Sequence, residues 1–287
     1  MSERAREILS MKKDAKSVAQ NKEQADVTPT LLLKPYFFGA SVIGPLHVQL
    51  NIPCQDACSF EVITSDFVIA AIADGLGSAS KSDTGARLVV EAAVKTVKEA
   101  IDCRRGNHLD ICETARNAAI AARNSLEEKA MIERCSLRDL ACTVIVIVAH
   151  KDNISVAQIG DGAVVAKIDD DLRLISAPAE SEYLNEVTPI TSKDWEKSLQ
   201  VSPQVSGVKC VAAFTDGLQR AALLKDQDGL KPFEGFLEPI FSYAQELDDL
   251  KQGEQDIKDL LASHKLSAHS EDDKTLIIGV FGKGDID

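Results

Sequence analysis

Short apolar runs bounded by polar turns recur along most of the chain: FFGASVIG, CSFEVI, FVIAAIAD, CTVIVIVAH, NISVAQIGD, GAVVAKI, LRLIS, KCVAAFTD and TLIIGVF. Their β-branched content and flanking Asp, Asn, Gly and Lys residues predict strands. AHKDNISV and KIDDDLRL read as tight hairpins. Two longer stretches repeat near 3.6 residues instead. In TGARLVVEAAVKTVKEAI, Val90, Val94, Val97 and Ile101 share a face; in HLDICETARNAAIAARNSLEEKAMIE, Ile111, Ala115, Ala118, Ala122 and Leu126 do so. The first of these helices is expected to begin near Thr84 as N-cap, with Asp83 beside it. The segment from about 233 to 265 is helical again. Strands come in consecutive groups and helices as a pair. That order predicts an α+β fold of mainly antiparallel sheets with helices packed outside, and disfavours a doubly wound nucleotide fold.

The pattern stops at both a terminus and an internal stretch. Residues 1 to about 30 are polar and charged, and are expected to form a flexible extension before one domain spanning 31–287. Residues 177 to 207 are long and poorly periodic, which suits a functional flap; Trp195, the single tryptophan, reads as its packing anchor. Of 287 residues, 45% are hydrophobic and 27% charged, enough to bury a large core. The net charge of −13 makes nucleic acid a poor partner, because phosphate binding needs clustered Lys and Arg. Seven cysteines, several inside apolar runs, read as reduced thiols rather than a disulfide framework. With no signal-peptide pattern and no bilayer-length apolar run, the expected setting is cytoplasmic, away from membranes.

The stretch ADGLGSASKSDTG, residues 73–85, invites two readings. A phosphate-cradling nucleotide loop would need glycine where Ser80 stands, and a βαβ context that is missing. The other reading is a turn that presents Asp74. Asp-Gly after an apolar strand occurs at Asp74-Gly75, Asp161-Gly162 and Asp216-Gly217. Asp272-Asp273 precedes the last strand and Asp56 an early one. A lone Asp-Gly is ordinarily a hairpin turn. Carboxylates gathered at one sheet edge, however, repel one another unless cations lie among them. Oxygen-rich sites of that kind suit Mg²⁺ or Mn²⁺, which can activate water and neutralise a phosphoryl group. A serine elbow G-x-S-x-G and a zinc H-E-x-x-H are both absent.

Taken in order, PCQDA (53–57), ADGLGS (73–78), CTVIVIV (142–148), IGDG (159–162), FTDG (214–217) and DDKTL (272–276) resemble the metal-dependent PPM (type 2C) protein phosphatases. PCQDA preceded by His47 is similar to a bacterial branch of that family. The resemblance implies a four-layer α-β-β-α sandwich with two Mg²⁺ or Mn²⁺ ions, and in some members a third. It implies hydrolysis of phosphoserine and phosphothreonine in a phosphorylated protein substrate by a metal-activated water. Asp56, Asp74 and Asp216 match the catalytic carboxylates, and Asp56, Asp74, Gly75, Asp161, Asp216 and Asp272 the metal ligands, with Asp161 tied to the third ion. Asp272 matches the ligand better than Asp273 does, and Gln55 stands where many members have Glu. Asn51 stands where many members place a phosphate-binding arginine; His47 or Arg87 is a candidate replacement. That departure also motivates the alternative of a catalytically impaired regulatory or scaffold protein.

Overall fold

Strand alternation explains the layers. In the fully buried run Phe67–Ala73, Val68, Ala70 and Ile72 join one apolar cluster, while Phe67, Ile69, Ala71 and Ala73 join another. A strand that is apolar on both faces must be covered on both. The computed structural model describes residues 35–103, 109–178, 187–227 and 229–282; the expected extension over residues 1–30 lies outside them.

Two five-stranded sheets carry the fold. One has the order β1 (Tyr36–Val42), β12 (Lys274–Val280), β9 (Val208–Phe214), β6 (Ala163–Ile168), β7 (Asp171–Ser176). The other has the order β2 (Ala57–Val62), β3 (Phe67–Ala73), β4 (Val144–His150), β5 (Asn153–Ile159), β8 (Gln200–Val201). Every pairing within them is antiparallel. Ile72, Ile147 and Val156 of one sheet meet Val211 and Ile277 of the other in the inner core. The short helix α1 (Pro45–Leu50) follows β1. The helices α2 (Ser82–Asp102) and α3 (Ile111–Glu133) cover the β3–β4 sheet through Val89, Val97, Ala118 and Leu126. On the far side, beyond α4 (Trp195–Ser198) and α5 (Gln219–Ala222) in the chain, α6 (Glu234–Gln245) and α7 (Leu250–Leu261) pack Phe241, Ile257 and Leu261 against Phe38, Phe214 and Ile278. The result is the expected α-β-β-α order of layers. No described helix is long and apolar enough to cross a membrane.

Both hairpins form. Lys151 (φ 57°) and Asp169 (φ 53°) take the left-handed conformation in their two-residue turns. The stretch 233–265 divides into α6, α7 and the start of α8 (His264–Ser267). A further hairpin, β10 (Leu223–Asp226) with β11 (Gly229–Pro232), was hidden in a polar sequence without alternation. Of the expected flap, residues 179–186 lie outside the description; the rest carries α4 and β8, and half-buried Trp195 packs on the α2–α3 core as an anchor would. All seven cysteines are free thiols.

The expected N-cap is corrected. Helix α2 starts at Ser82, two residues before Thr84, and no side chain caps it. The start is fixed from outside instead, by the Lys81 N–H donating to the Asp139 carbonyl at 2.8 Å. Helix α3 does have a cap: Asp110 Oδ1 accepts from the N–H groups of Cys112 (2.8 Å) and Glu113 (3.1 Å). Asp110→Ala is therefore expected to cost about 1 kcal/mol in urea unfolding, and Thr84→Ala under about 0.5 kcal/mol. Equal losses would contradict this assignment of the caps.

Candidate metal centre

The five aspartates come from both sheets yet arrive at one end of the sandwich. Strands β3, β5 and β9 end just before Asp74, Asp161 and Asp216, while β2 and β12 begin just after Asp56 and Asp272–Asp273. Antiparallel pairing sends ends of the first kind and starts of the second to the same edge. Their charges act on one another accordingly. Asp74 is influenced by Asp56, Asp216, Asp161 and Asp272, and Asp216 by Asp161 and Asp272.

Threonines in the motifs hold this edge together. Asp56 is buried, and its Oδ2 accepts from the hydroxyls of Thr215 (2.8 Å) and Thr275 (2.7 Å), one at the end of β9 and one in β12. The Thr215 Oγ1 also accepts from the Thr275 N–H at 3.0 Å. Asp74 is fixed through its backbone: its N–H donates to Thr143 Oγ1 (2.9 Å) and its carbonyl accepts from the Thr143 N–H (2.7 Å). The glycine after Asp216 is required by close approach rather than by a positive φ. A Cβ on Gly217 would stand 2.0 Å from the Asp273 carbonyl oxygen, so the two acidic turns lie backbone to backbone. A Cβ on Gly75 would likewise meet the Gln55 carbonyl oxygen at 2.8 Å.

Asp272 and its neighbour divide their roles. Asp273 is buried, and its carboxylate faces three donors: the Gly44 N–H (2.6 Å), the Gln55 N–H (2.6 Å) and His47 Nδ1 (2.9 Å). It thereby clamps residues 44–55 to the start of β12. Asp272 stays exposed. His47 is thus a buried part of a clamp, and Arg87 is an exposed residue paired with Asp83 Oδ2 at 2.6 Å. Each of the two candidates is thus paired with a carboxylate, one beneath the edge and one on the surface of α2.

Burial and mutual repulsion weaken the acidity of the cluster. Desolvation, then the charges of Asp273 and Asp216, lift Asp56 to about 7, although its two threonine bonds oppose the rise. Desolvation, then Asp161 and Asp272, lift Asp216 to about 6. Asp74 and Asp161 are raised for the same first reason. Two acceptor atoms here, Asp216 Oδ1 and Gln55 Oε1, are buried without a hydrogen-bond partner. An unsatisfied buried acceptor is costly, and a hard divalent cation is the partner that oxygen donors of this kind lack. The donor set therefore fits Mg²⁺ or Mn²⁺. Among the described residues, no group of three or more His, Cys, Asp or Glu side chains is drawn together closely enough to hold an ion by itself. Hard cations do not require one, since carbonyls and waters complete their shells.

Comparison with known proteins gives the family and the fold. The family described as Protein phosphatase 2C matches residues 43–262. Serine/threonine-protein phosphatase 3 of Escherichia coli (strain K12) is 31% identical over 251 residues, which span 85% of this chain and 97% of that protein. Among solved structures, the catalytic domain of the serine threonine protein phosphatase PstP, in complex with two manganese ions, superposes with a TM-score of 0.57 at 15% identity, covering 86% of this chain and 97% of that one. A bacterial serine phosphatase superposes at 0.56 with 12% identity, covering 89% and 100%. The structural likeness speaks for the fold, and the family match extends through the acidic turns as far as Asp216: this chain belongs to the protein phosphatase 2C family.

Proposed function

We infer that this chain is a metal-dependent phosphatase that removes phosphate from phosphoserine and phosphothreonine in proteins. The observation that carries the reading is the convergence of Asp56, Asp74, Asp161, Asp216 and Asp272 at one sandwich edge, with the acceptor Asp216 Oδ1 buried and unpartnered. Its family, and a relative whose name is serine/threonine-protein phosphatase 3, support the substrate class.

Asp74, Asp216 and Asp272 would hold one Mg²⁺ or Mn²⁺, Asp74 with Asp56 and Gln55 would support the second, and the Gly75 carbonyl would add a ligand. Asp161 would contribute to a third. Bound ions of this kind supply charge to a phosphoryl group and acidify a water. The chain's own residues set the geometry: Thr215 and Thr275 orient Asp56, Thr143 fixes the Asp74 backbone, and Asp273 locks the segment that carries Gln55. Exposed Asp272 and partly exposed Asp74, Asp161 and Asp216 leave the edge open to a protein substrate, while buried Asp56 anchors its base. The acidic surface as a whole selects against nucleic acid.

Asp74→Asn is expected to lower Mn²⁺-dependent hydrolysis of p-nitrophenyl phosphate by about 100-fold or more, the scale set by removing one group that supports transition-state charge. Thermal stability in EDTA should hold or rise, because one repelling charge is gone. Full activity in this variant would reject the assignment.

The raised carboxyls also set a pH dependence. Between about pH 4 and 7 folded Asp56 and Asp216 keep protons that the unfolded chain has released, so metal-free stability is present at low pH and lost as pH rises through about 6 to 7. In EDTA the Tm should fall over that window. Added Mn²⁺ should raise the Tm more at about pH 8 than at about pH 5, as calorimetric scans would record.

A further inference from the structure

Position 274 breaks the chemistry of its strand. Every residue of β12 is buried, and the first of them is a lysine with 2% exposure, among the largest fully enclosed side chains of the fold. An enclosed ammonium is costly unless nearby charge compensates it. Lys274 anchors its Nζ on the Asp272 carbonyl at 2.7 Å, a backbone oxygen rather than a carboxylate. Its Cγ lies 3.1 Å from the point where Gly217 would carry a Cβ, so the stem runs beside the Asp216–Gly217 turn. Burial lowers the proton affinity of the amine, and the charges of Asp272, Asp273, Asp56 and Asp216 oppose that drop. A buried cation thus sits on the Asp272 backbone and beside the Asp216–Gly217 turn, within the field of Asp56 and Asp273 as well.

We propose that Lys274 is a built-in counter-cation of the carboxylate centre, which offsets part of the cluster's repulsion in the metal-free chain and weakens its hold on divalent cations. The proposal rests on reading these carboxylates as a metal centre. The sign follows from Coulomb's law. A positive charge among the ligands stabilises them when no ion is bound and opposes an ion that enters. A lysine that merely filled space would do neither, and one that only oriented Asp272 would strengthen metal binding.

Two neutral replacements separate charge from shape. Lys274→Met keeps the length of the stem. Lys274→Gln keeps a donor for the Asp272 carbonyl, and Lys274→Arg keeps the charge. Titration of the full chain with Mn²⁺ alone in a calorimeter is expected to give at least about tenfold tighter binding in both neutral variants, and near wild-type binding in Lys274→Arg. Their Tm in EDTA should drop, and saturating Mn²⁺ should remove most of that deficit. A neutral variant that folds only with Mn²⁺ present also supports the proposal. Unchanged or weaker Mn²⁺ binding, tightening in Met but not Gln, or an equal Tm loss with and without Mn²⁺ would overturn it, as would failure to fold under both conditions. If the wild-type chain itself binds no Mn²⁺, the reading of the metal centre falls and this proposal falls with it. If wild type binds and the neutral variants bind no tighter, the proposal fails alone.

Discussion

Five carboxylates at one edge repel one another, and the fold is arranged around holding them there. Asp56 shows how. It is buried, lifted to about 7, and held by hydroxyls from the ends of two adjacent strands of the opposite sheet. Those bonds cross between the sheets at the edge where the acidic turns lie. Without them, desolvation and like charge would drive Asp56 outward and separate the layers there. The apolar inner core, with Ile72, Ile147, Val211 and Ile277, provides the rigid backing on which this local strain is borne.

Around Asp56 the site is layered by exposure. Asp272 lies at the rim, Asp74, Asp161 and Asp216 lie partly open, and Asp273 lies beneath them with its carboxylate fully engaged. The two members of the Asp272–Asp273 pair differ in exposure, Asp272 lying open and Asp273 buried. One serves the open edge and the other clamps residues 44–55. Lys274 adds a positive charge under the same edge. The centre is therefore a balance of charges built into three consecutive residues and the turns that pack on them.

Much of this was legible in sequence. The strand and helix stretches follow from period and β-branching, and the ordered acidic motifs pointed to Asp56, Asp74, Asp161, Asp216 and Asp272. The threonines of the same motifs went unread, although Thr143, Thr215 and Thr275 stand beside or within them. Their hydroxyls act on residues 69, 159 and 219 positions away, and no local pattern announces a partner at such a distance. Thr84 misled for the opposite reason. It had the chemistry of a cap, but a tertiary bond from Lys81 to Asp139 set the start of the helix earlier.

By itself the sequence determined the class of fold, the acidic turns and the family they belong to, because these depend on residue type and short-range period. Only the tertiary structure decided that His47 belongs to the Asp273 clamp, that the glycines after Asp74 and Asp216 are set by backbone contact, and that Lys274 is enclosed with the carboxylates. The physical reason is range. Propensity and alternation act over a few residues, whereas desolvation, repulsion and close packing depend on which distant segments the two sheets bring to the same edge.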